Sequence, residues 1–200
     1  MKVAVAVLTY NRQPLFRQTI ESLKQTALPY ERVIVDNGST DGTAALVAKM
    51  GGICNQDNRF IGHGLRVAMK AALRTKPDLV LFTADDYLYC RGWLENLVRW
   101  WENAPRNAGL ATLNVEPVFH WNTILGVLQV DGLWSFERRT VPGACWSFRP
   151  ALWPQIAPLV PDDSHKYDHR VCTELRASGW RLYALPLAEH AGAGQRTWKS

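Results

Sequence analysis

Residues Val3–Leu8 form an unbroken apolar run, VAVAVL, that stops abruptly at Thr9-Tyr10-Asn11-Arg12. A strand that is apolar at every position must be covered on both faces, and a parallel sheet between two layers of helices does this. The next hundred residues repeat the theme. Pro14–Gln25 reads as a helix with Leu15, Ile20 and Leu23 on one face, Arg32–Val35 as a strand and Asp41–Met50 as a helix. Gly52–Asn55 is a weak third strand, followed by a helix over about Ile61–Arg74 with Leu65, Met69 and Leu73 in line. Leu79–Thr83 is a fourth strand and Gly92–Asn103 a helix. Strand and helix alternating at this spacing predict an α/β fold with a mostly parallel central sheet flanked by helices.

The second half reads differently. Leu110–Asn114 is one more strand, but Val115–Val141 has no steady period and carries Trp121, Trp134, Arg138 and Arg139. A loop and a small β-hairpin insertion are expected there. A β-run at Ala144–Phe148 precedes a short helix after Pro150 and a connection containing Pro154, Pro158 and Pro161. A helix at about Tyr167–Ala177, a last strand at Arg181–Leu185 and a Gly-rich tail complete the pattern. No repeat, linker or low-complexity tract divides the 200 residues, so one domain is expected over 1–200, with halves at about 1–114 and 115–200.

The hydrophobic content of 47% and charged content of 20% are those of a folded protein rather than a disordered one. The formal charge of +5, with 16 of 23 basic residues arginine, suits a polyanionic or phosphorylated partner, although no contiguous Lys/Arg block marks a site. The four cysteines (Cys54, Cys90, Cys145, Cys172) form no CxxC pair, which argues against a zinc site or disulfide framework and for reduced thiols in a cytoplasmic protein. The apolar run after Met1-Lys2 is too short for a signal peptide, and nothing approaches the ~20 apolar residues of a span, so no integral membrane association is expected. Most of the nine tryptophans should be core, with some left as flat surfaces for a sugar or base.

In an open parallel sheet, ligands bind at the carboxyl ends of the strands. Those ends carry Thr9-Tyr10-Asn11-Arg12, then Asp36 through Thr43, then Ala84-Asp85-Asp86, and all three should meet on one rim. Asp36 is placed to accept from a base N–H, and Gly38 permits a tight turn. Ser39, Thr40 and Asp41 are helix N-cap types that would put backbone donors near a phosphate. Alone, this segment is also what a routine strand–turn–helix connection looks like.

Val5–Asn11 together with Val33–Thr43 (VIVDNGSTDGT) resembles the nucleotide-binding half of family 2 glycosyltransferases, which have the Rossmann-like GT-A fold. Asn58-Arg59-Phe60-Ile61-Gly62 resembles that family's turn into the third helix, which implies that Asn58 and Gly62 lie by the donor. The resemblance aligns Ala84-Asp85-Asp86 with the family's metal-holding Asp-x-Asp. Asp86 matches the metal-binding second Asp, Ala84 replaces the first, and Asp85 is the residue placed to compensate. It thereby implies a nucleotide diphosphate sugar donor, UDP-sugar favoured, with Mn2+ or Mg2+. A hard cation at phosphate oxygens neutralises a leaving diphosphate, and Mg2+ needs only one or two carboxylates.

On the acceptor side, Gly143-Ala144-Cys145-Trp146-Ser147-Phe148-Arg149 resembles the family's acceptor-pocket segment, implying contacts from Gly143, Trp146 and Arg149. Counting back from Gly179-Trp180-Arg181, the family's general base falls on Asp168, with Tyr167 where an acidic residue is more usual. Asp162 and Asp163 compete for that role. His190 matches a position that contacts metal or diphosphate, and Arg196 is a candidate phosphate clamp. An inverting hexosyl transfer follows from the resemblance.

The acceptor stays open between a saccharide or glycan and hydroxymethylated pyrimidine in phage DNA. The DNA acceptor would need a basic groove and a flipped base held by Trp121, Trp134, Arg138, Arg139 and Trp146. Two readings outside this chemistry remain: a non-catalytic nucleotide-binding protein of the same fold, favoured by Ala84 and Tyr167, and a nucleotidyltransferase. No Gly-rich loop with a following Lys supports the latter.

Overall fold

In a computed structural model of the chain, residues 1–114, 124–162 and 167–190 are described, with Asn114, Glu189 and His190 described by their backbone alone. The strands are β1 (Val3–Thr9), β2 (Glu31–Asp36), β3 (Ile53–Cys54), β4 (Leu79–Ala84), β5 (Tyr87–Tyr89), β6 (Ala108–Asn114), β7 (Ile124–Val130), β8 (Leu133–Arg138), β9 (Cys145–Phe148) and β10 (Arg181–His190). The helices are α1 (Gln13–Leu23), α2 (Thr43–Lys49), α3 (Phe60–Arg74), α4 (Trp93–Asn103), α5 (Trp153–Ile156) and α6 (Asp168–Ala177). They build one sheet in the order β3-β2-β1-β4-β9-β6-β10-β8-β7, with β5 added on β10. Strands β3, β2, β1 and β4 run parallel; β9 is inserted antiparallel between β4 and β6, and β10 lies parallel to β6.

The unbroken apolar run of β1 divides cleanly between two cores, because successive side chains of a strand point to opposite faces. Val3, Val5 and Val7 join Leu79 and Leu81 of β4 under α1, α2 and α4. Ala4, Ala6 and Leu8 join Val80 and Phe82 under α3, α5 and α6. The second face is lined by small residues, and α3 answers with Ala68 and Ala72, which lets helix and sheet approach closely. At Gly64 a Cβ would lie 2.6 Å from Leu8 Cδ1, so glycine sets that spacing.

Tryptophan supplies bulk on the first face. Trp93, Trp100 and Trp101 of α4 are buried, with Tyr89 packed at 4.7 Å from Trp93 and Tyr183 at 5.1 Å from Trp100 between ring centroids. Each such ring stabilises the fold by roughly 1.5–3 kcal/mol through burial.

The expected hairpin is present as β7 and β8 at the sheet edge, where Trp134 is 55% exposed. Two features differ from the sequence reading. A short strand, β5, directly follows Asp85-Asp86, where the sequence reading placed none. The last strand also continues past Leu185 to His190: after a register break between Ala184 and Ala188, spanning Pro186, β10 pairs with β6 again at Ala188 and takes up β5 as a further partner. Among the described residues, no helix is long and apolar enough to cross a membrane.

Candidate functional site

The three strand ends meet as expected. β1 is flanked by β2 and β4, with Thr9 opposite Asp36 and Leu8 opposite Ala84, so the loops after all three open on one rim. Asp85 and Asp86 sit in the tight turn between β4 and β5 and are only 3% and 5% exposed, which is not the condition of a solvated cap. Thr9 Oγ1 donates to Asp85 Oδ2 at 2.6 Å, and the Tyr10 N–H reaches the same oxygen at 3.4 Å. Arg12 projects across from the β1 loop; its Nη1 donates to Asp86 Oδ2 at 2.7 Å and lies 3.5 Å from Asp85 Oδ1. Burial pushes the Asp85 carboxyl up to about 6, more than the Thr9 hydroxyl and the Arg12 charge pull it down.

The β2 loop is held by its own side chains. Asp36 Oδ2 accepts from the Gly38 and Ser39 N–H groups at 3.1 and 2.9 Å. Its other oxygen is buried and has no hydrogen-bond partner among the described residues, which leaves an acceptor for an incoming donor. Gly38 takes φ 85°, and a Cβ there would lie 2.5 Å from the Asp57 carbonyl carbon. None of the three caps α2, whose N-cap is Gly42 with no side-chain cap hydrogen bond; Asp41, one residue earlier, accepts from the Thr43 N–H through Oδ1 at 3.0 Å. Ser39 Oγ instead accepts from the Asn11 N–H at 2.9 Å, and the Thr40 N–H donates to Asn11 Oδ1 at 2.7 Å. Of the backbone donors here, the Thr40 N–H is thus spent in joining the β1 and β2 loops, and those of Gly38, Ser39 and Thr43 go to Asp36 and Asp41.

Asn37, Asn58 and Gly62 occupy supporting positions. The Asn37 amide donates to Asn58 Oδ1 and the Phe60 carbonyl, both at 3.0 Å, and accepts from Asn55 Nδ2 at 3.0 Å. Asn58 Oδ1 also accepts from the Phe60 N–H at 2.9 Å, opening α3. Gly62 is buried against backbone, and a Cβ would fall 1.9 Å from the Pro161 carbonyl oxygen. These residues fix the loops after β2 and before α3.

Asp168 reaches the same rim by a different route. Its helix start is pinned by Tyr167, whose hydroxyl donates to the Gly143 carbonyl at 3.1 Å and whose ring packs edge-on to Trp146 at 5.5 Å. Gly143 lies directly against Asp168, since a Cβ there would stand 3.0 Å from Asp168 Cβ. The next carbonyl, that of Ala144, accepts from the Ala84 N–H at 2.7 Å. A continuous chain of contacts therefore links Asp168 to Ala84-Asp85-Asp86. The Asp168 carboxylate is half-buried and accepts from the His169 N–H at 2.8 Å. Asp162 is ion-paired to Arg66 of α3 at 2.9 Å, and Asp163 lies outside the described residues.

Two acceptor-side expectations are corrected. Trp146 is 1% exposed and belongs to the core under the rim rather than to a contact surface. Arg149 lies beyond Phe148, which is paired with Val80 near the amino end of β4. It is therefore at the opposite end of the sheet from the rim, where it donates to the Trp101 carbonyl at 3.0 Å and lies over that indole. The residues expected to form a DNA groove are not gathered among those described: Trp134 is exposed on the hairpin, Arg138 and Trp146 are buried, and Trp121 lies outside the described residues.

A divalent cation fits this donor set. Two adjacent carboxylates of hard oxygen, buried beside a guanidinium, form a pocket already arranged around positive charge, and Mg2+ or Mn2+ takes one or two carboxylates with phosphate oxygens. No group of three or more His, Cys, Asp or Glu gathers among the described residues, so a cation here would draw its other ligands from elsewhere. The backbone of His190 pairs with Tyr87, next to Asp86, while its side chain and Arg196 lie outside the described residues.

A glucosyl-dolichyl phosphate glucuronosyltransferase of Haloferax volcanii is 36% identical over 114 residues, covering 52% of this chain and 36% of the relative. An O-antigen chain rhamnosyltransferase of Salmonella typhimurium is 28% identical over 107 residues, covering 52% and 34%. The chain thus spans about a third of the length of these curated relatives. Among solved structures, a mannosyltransferase of Pyrobaculum calidifontis in complex with GDP-Man and Mn2+ matches with a TM-score of 0.75 at 22% identity, covering 98% of this chain and 58% of that one. S. aureus TarS 1–349 in complex with UDP-GlcNAc matches at 0.69 and 19% identity, covering 98% and 62%. Likeness at such identity establishes the shared GT-A fold. Residues 4–133 match the model of glycosyl transferase family 2, which is more than half of the chain, and the chain belongs to that family.

Proposed function

We propose that this protein transfers a sugar, with inversion, from a nucleotide diphosphate donor to a saccharide hydroxyl. UDP-sugar is the favoured donor, and a divalent cation assists. The observation that carries the reading is the meeting of two unlike acidic centres on one rim: the buried Asp85-Asp86 pair beside Arg12, and the half-buried Asp168 at the start of α6. Asp36 accepts from the base through its unserved oxygen, while Thr9, Tyr10, Asn11, Asn37, Gly38 and Asn58 hold the loops around it. Asp86, with His190 as a further candidate ligand, would hold Mn2+ or Mg2+, which supplies charge neutralisation to the departing diphosphate.

Asp168 takes the proton of the acceptor hydroxyl as its oxygen bonds to the anomeric carbon and the bond to the diphosphate oxygen breaks. Gly143 and Tyr167 keep Asp168 in place, since one contacts its Cβ and the other anchors its helix. Relatives whose names give a lipid-phosphate-borne sugar and an O-antigen chain support a saccharide acceptor.

The test is nucleoside diphosphate release from a panel of sugar nucleotides with saccharide acceptors, and the anomeric configuration of the product by NMR. Release that requires both acceptor and Asp168 and gives the inverted anomer supports the proposal. Nucleotide binding without transfer to any acceptor would leave the binding-protein reading, and an Asp168→Asn variant with full turnover would remove the assigned base.

A further inference from the structure

On the flank of the molecule, α3 carries Arg66, Lys70 and Arg74 at four-residue spacing and no acidic residue anywhere along its length. Like charges four apart on a helix repel, so this row is unfavourable unless something answers it. Among the described residues only Arg66 is answered, by Asp162 at 2.9 Å and by the Val160 carbonyl. Lys70 and Arg74 are exposed and form no ion pair among the described residues.

The row lines an open cleft of about 470 Å3 whose other walls are Leu73, Trp153 and Ala157. Trp153 is fixed there by stacking on Phe148, with ring planes 16° apart. From Arg66 to Arg74 the row is about 12 Å long.

We infer that this cleft is a docking site for the phosphate headgroups of an anionic lipid surface. A row of that length spans more than one headgroup, and cations bordered by an indole and a leucine match the layered chemistry of a membrane interface. A nucleic acid would ask for a longer basic track without the apolar lip. The location is also suitable. α3 starts beside the donor loops, where the Phe60 carbonyl accepts from Asn37, and its outer face lies to the side of the rim, so docking leaves the donor site open. The overall charge of +5 favours the same surface.

The test is co-sedimentation with phosphatidylcholine vesicles containing or lacking phosphatidylglycerol, at low and high salt. Wild type is expected to bind only the anionic vesicles and to be released by salt. Lys70→Glu/Arg74→Glu should lower binding about tenfold or more, with melting temperature and nucleoside diphosphate binding unchanged. Lys70→Gln/Arg74→Gln should move the same way by less, and it serves should the reversed pair fail to fold. Arg17→Glu/Lys49→Glu makes the same charge change on α1 and α2, across the sheet, and should stay within about twofold of wild type. Equal losses in both reversed variants would reduce the effect to net charge and overturn the site. Absence of binding to anionic vesicles, or tighter binding to a duplex oligonucleotide than to vesicles, would overturn it as well.

Discussion

The two sides of the rim, proposed for donor and acceptor, are held together by different physics. On the first side, three loops are joined by side-chain hydrogen bonds: Ser39 with Asn11, Asn11 with Thr40, Asn37 with Phe60 and Asp36 with its own turn bond side chain to backbone, and Thr9 donates to the Asp85 side chain. On the acceptor side, Asp168 depends on packing from distant segments, through Tyr167 on Trp146 and Gly143. Beyond it, the hairpin leaves Leu125, Val127 and Trp134 exposed. The first side is a set of polar groups fixed by hydrogen bonds, and the second is an aromatic and glycine packing around one carboxylate.

The sharpest way to separate the two sides is Asp168→Asn. Turnover should fall by roughly 10²–10⁴ while nucleotide affinity and melting temperature stay put, as read by steady-state kinetics beside calorimetry. A matching loss of nucleotide affinity would show that the sides are not independent.

Gly62→Ala probes the seam between them, because its Cβ would collide with the Pro161 carbonyl. A loss of about 3 kcal/mol or more in denaturant unfolding is expected, since the obstacle is backbone on both sides. A neutral result would mean that α3 and the segment before α6 are free to part.

The donor side also carries a pH signature. Asp85 is raised from 3.8 to about 6, so folding favours its protonated form, and the stability this brings is lost as pH rises from about 4 through 6. Asp85→Asn should therefore gain on wild type across that window, by at most about 3 kcal/mol, in urea titrations at a series of pH values. A flat difference would mean that Arg12 compensates the charge fully. The smallest effect belongs to the hairpin: Trp134→Ser should alter stability by less than about 0.5 kcal/mol, and a larger loss in thermal melts would reveal something packed on that face.

These contrasts explain what could be read from the sequence. The parallel half was legible because β1, β4 and the second half of β2 are buried on both faces and the motifs after them are local. Asp85-Asp86, Asp36 and Arg12 announced themselves by position at strand ends. Arg149 and Trp146 could not be placed in this way, since their locations depend on β9 entering the sheet antiparallel, a long-range pairing that leaves no local mark. β5 was hidden for a similar reason: three residues become a strand only by pairing with Ala188–His190 at the far end of the chain's last strand, a long-range contact. The basic row of α3 escaped a search for contiguous charge because its members are four residues apart, and reading the helix at its own period would have found it.

The central claim is that the rim is a metal-assisted nucleotide site organised by Asp86. The most direct measurement is thermal stabilisation by UDP, GDP, CDP and dTDP, each with and without Mn2+, in wild type and Asp86→Ala. A ligand at 100 times its dissociation constant adds about 2.7 kcal/mol, which a melt resolves easily. The account predicts stabilisation by one nucleotide, UDP first, that requires Mn2+ and is lost in Asp86→Ala; no stabilisation by any of the four, or the same stabilisation in the variant, would contradict it.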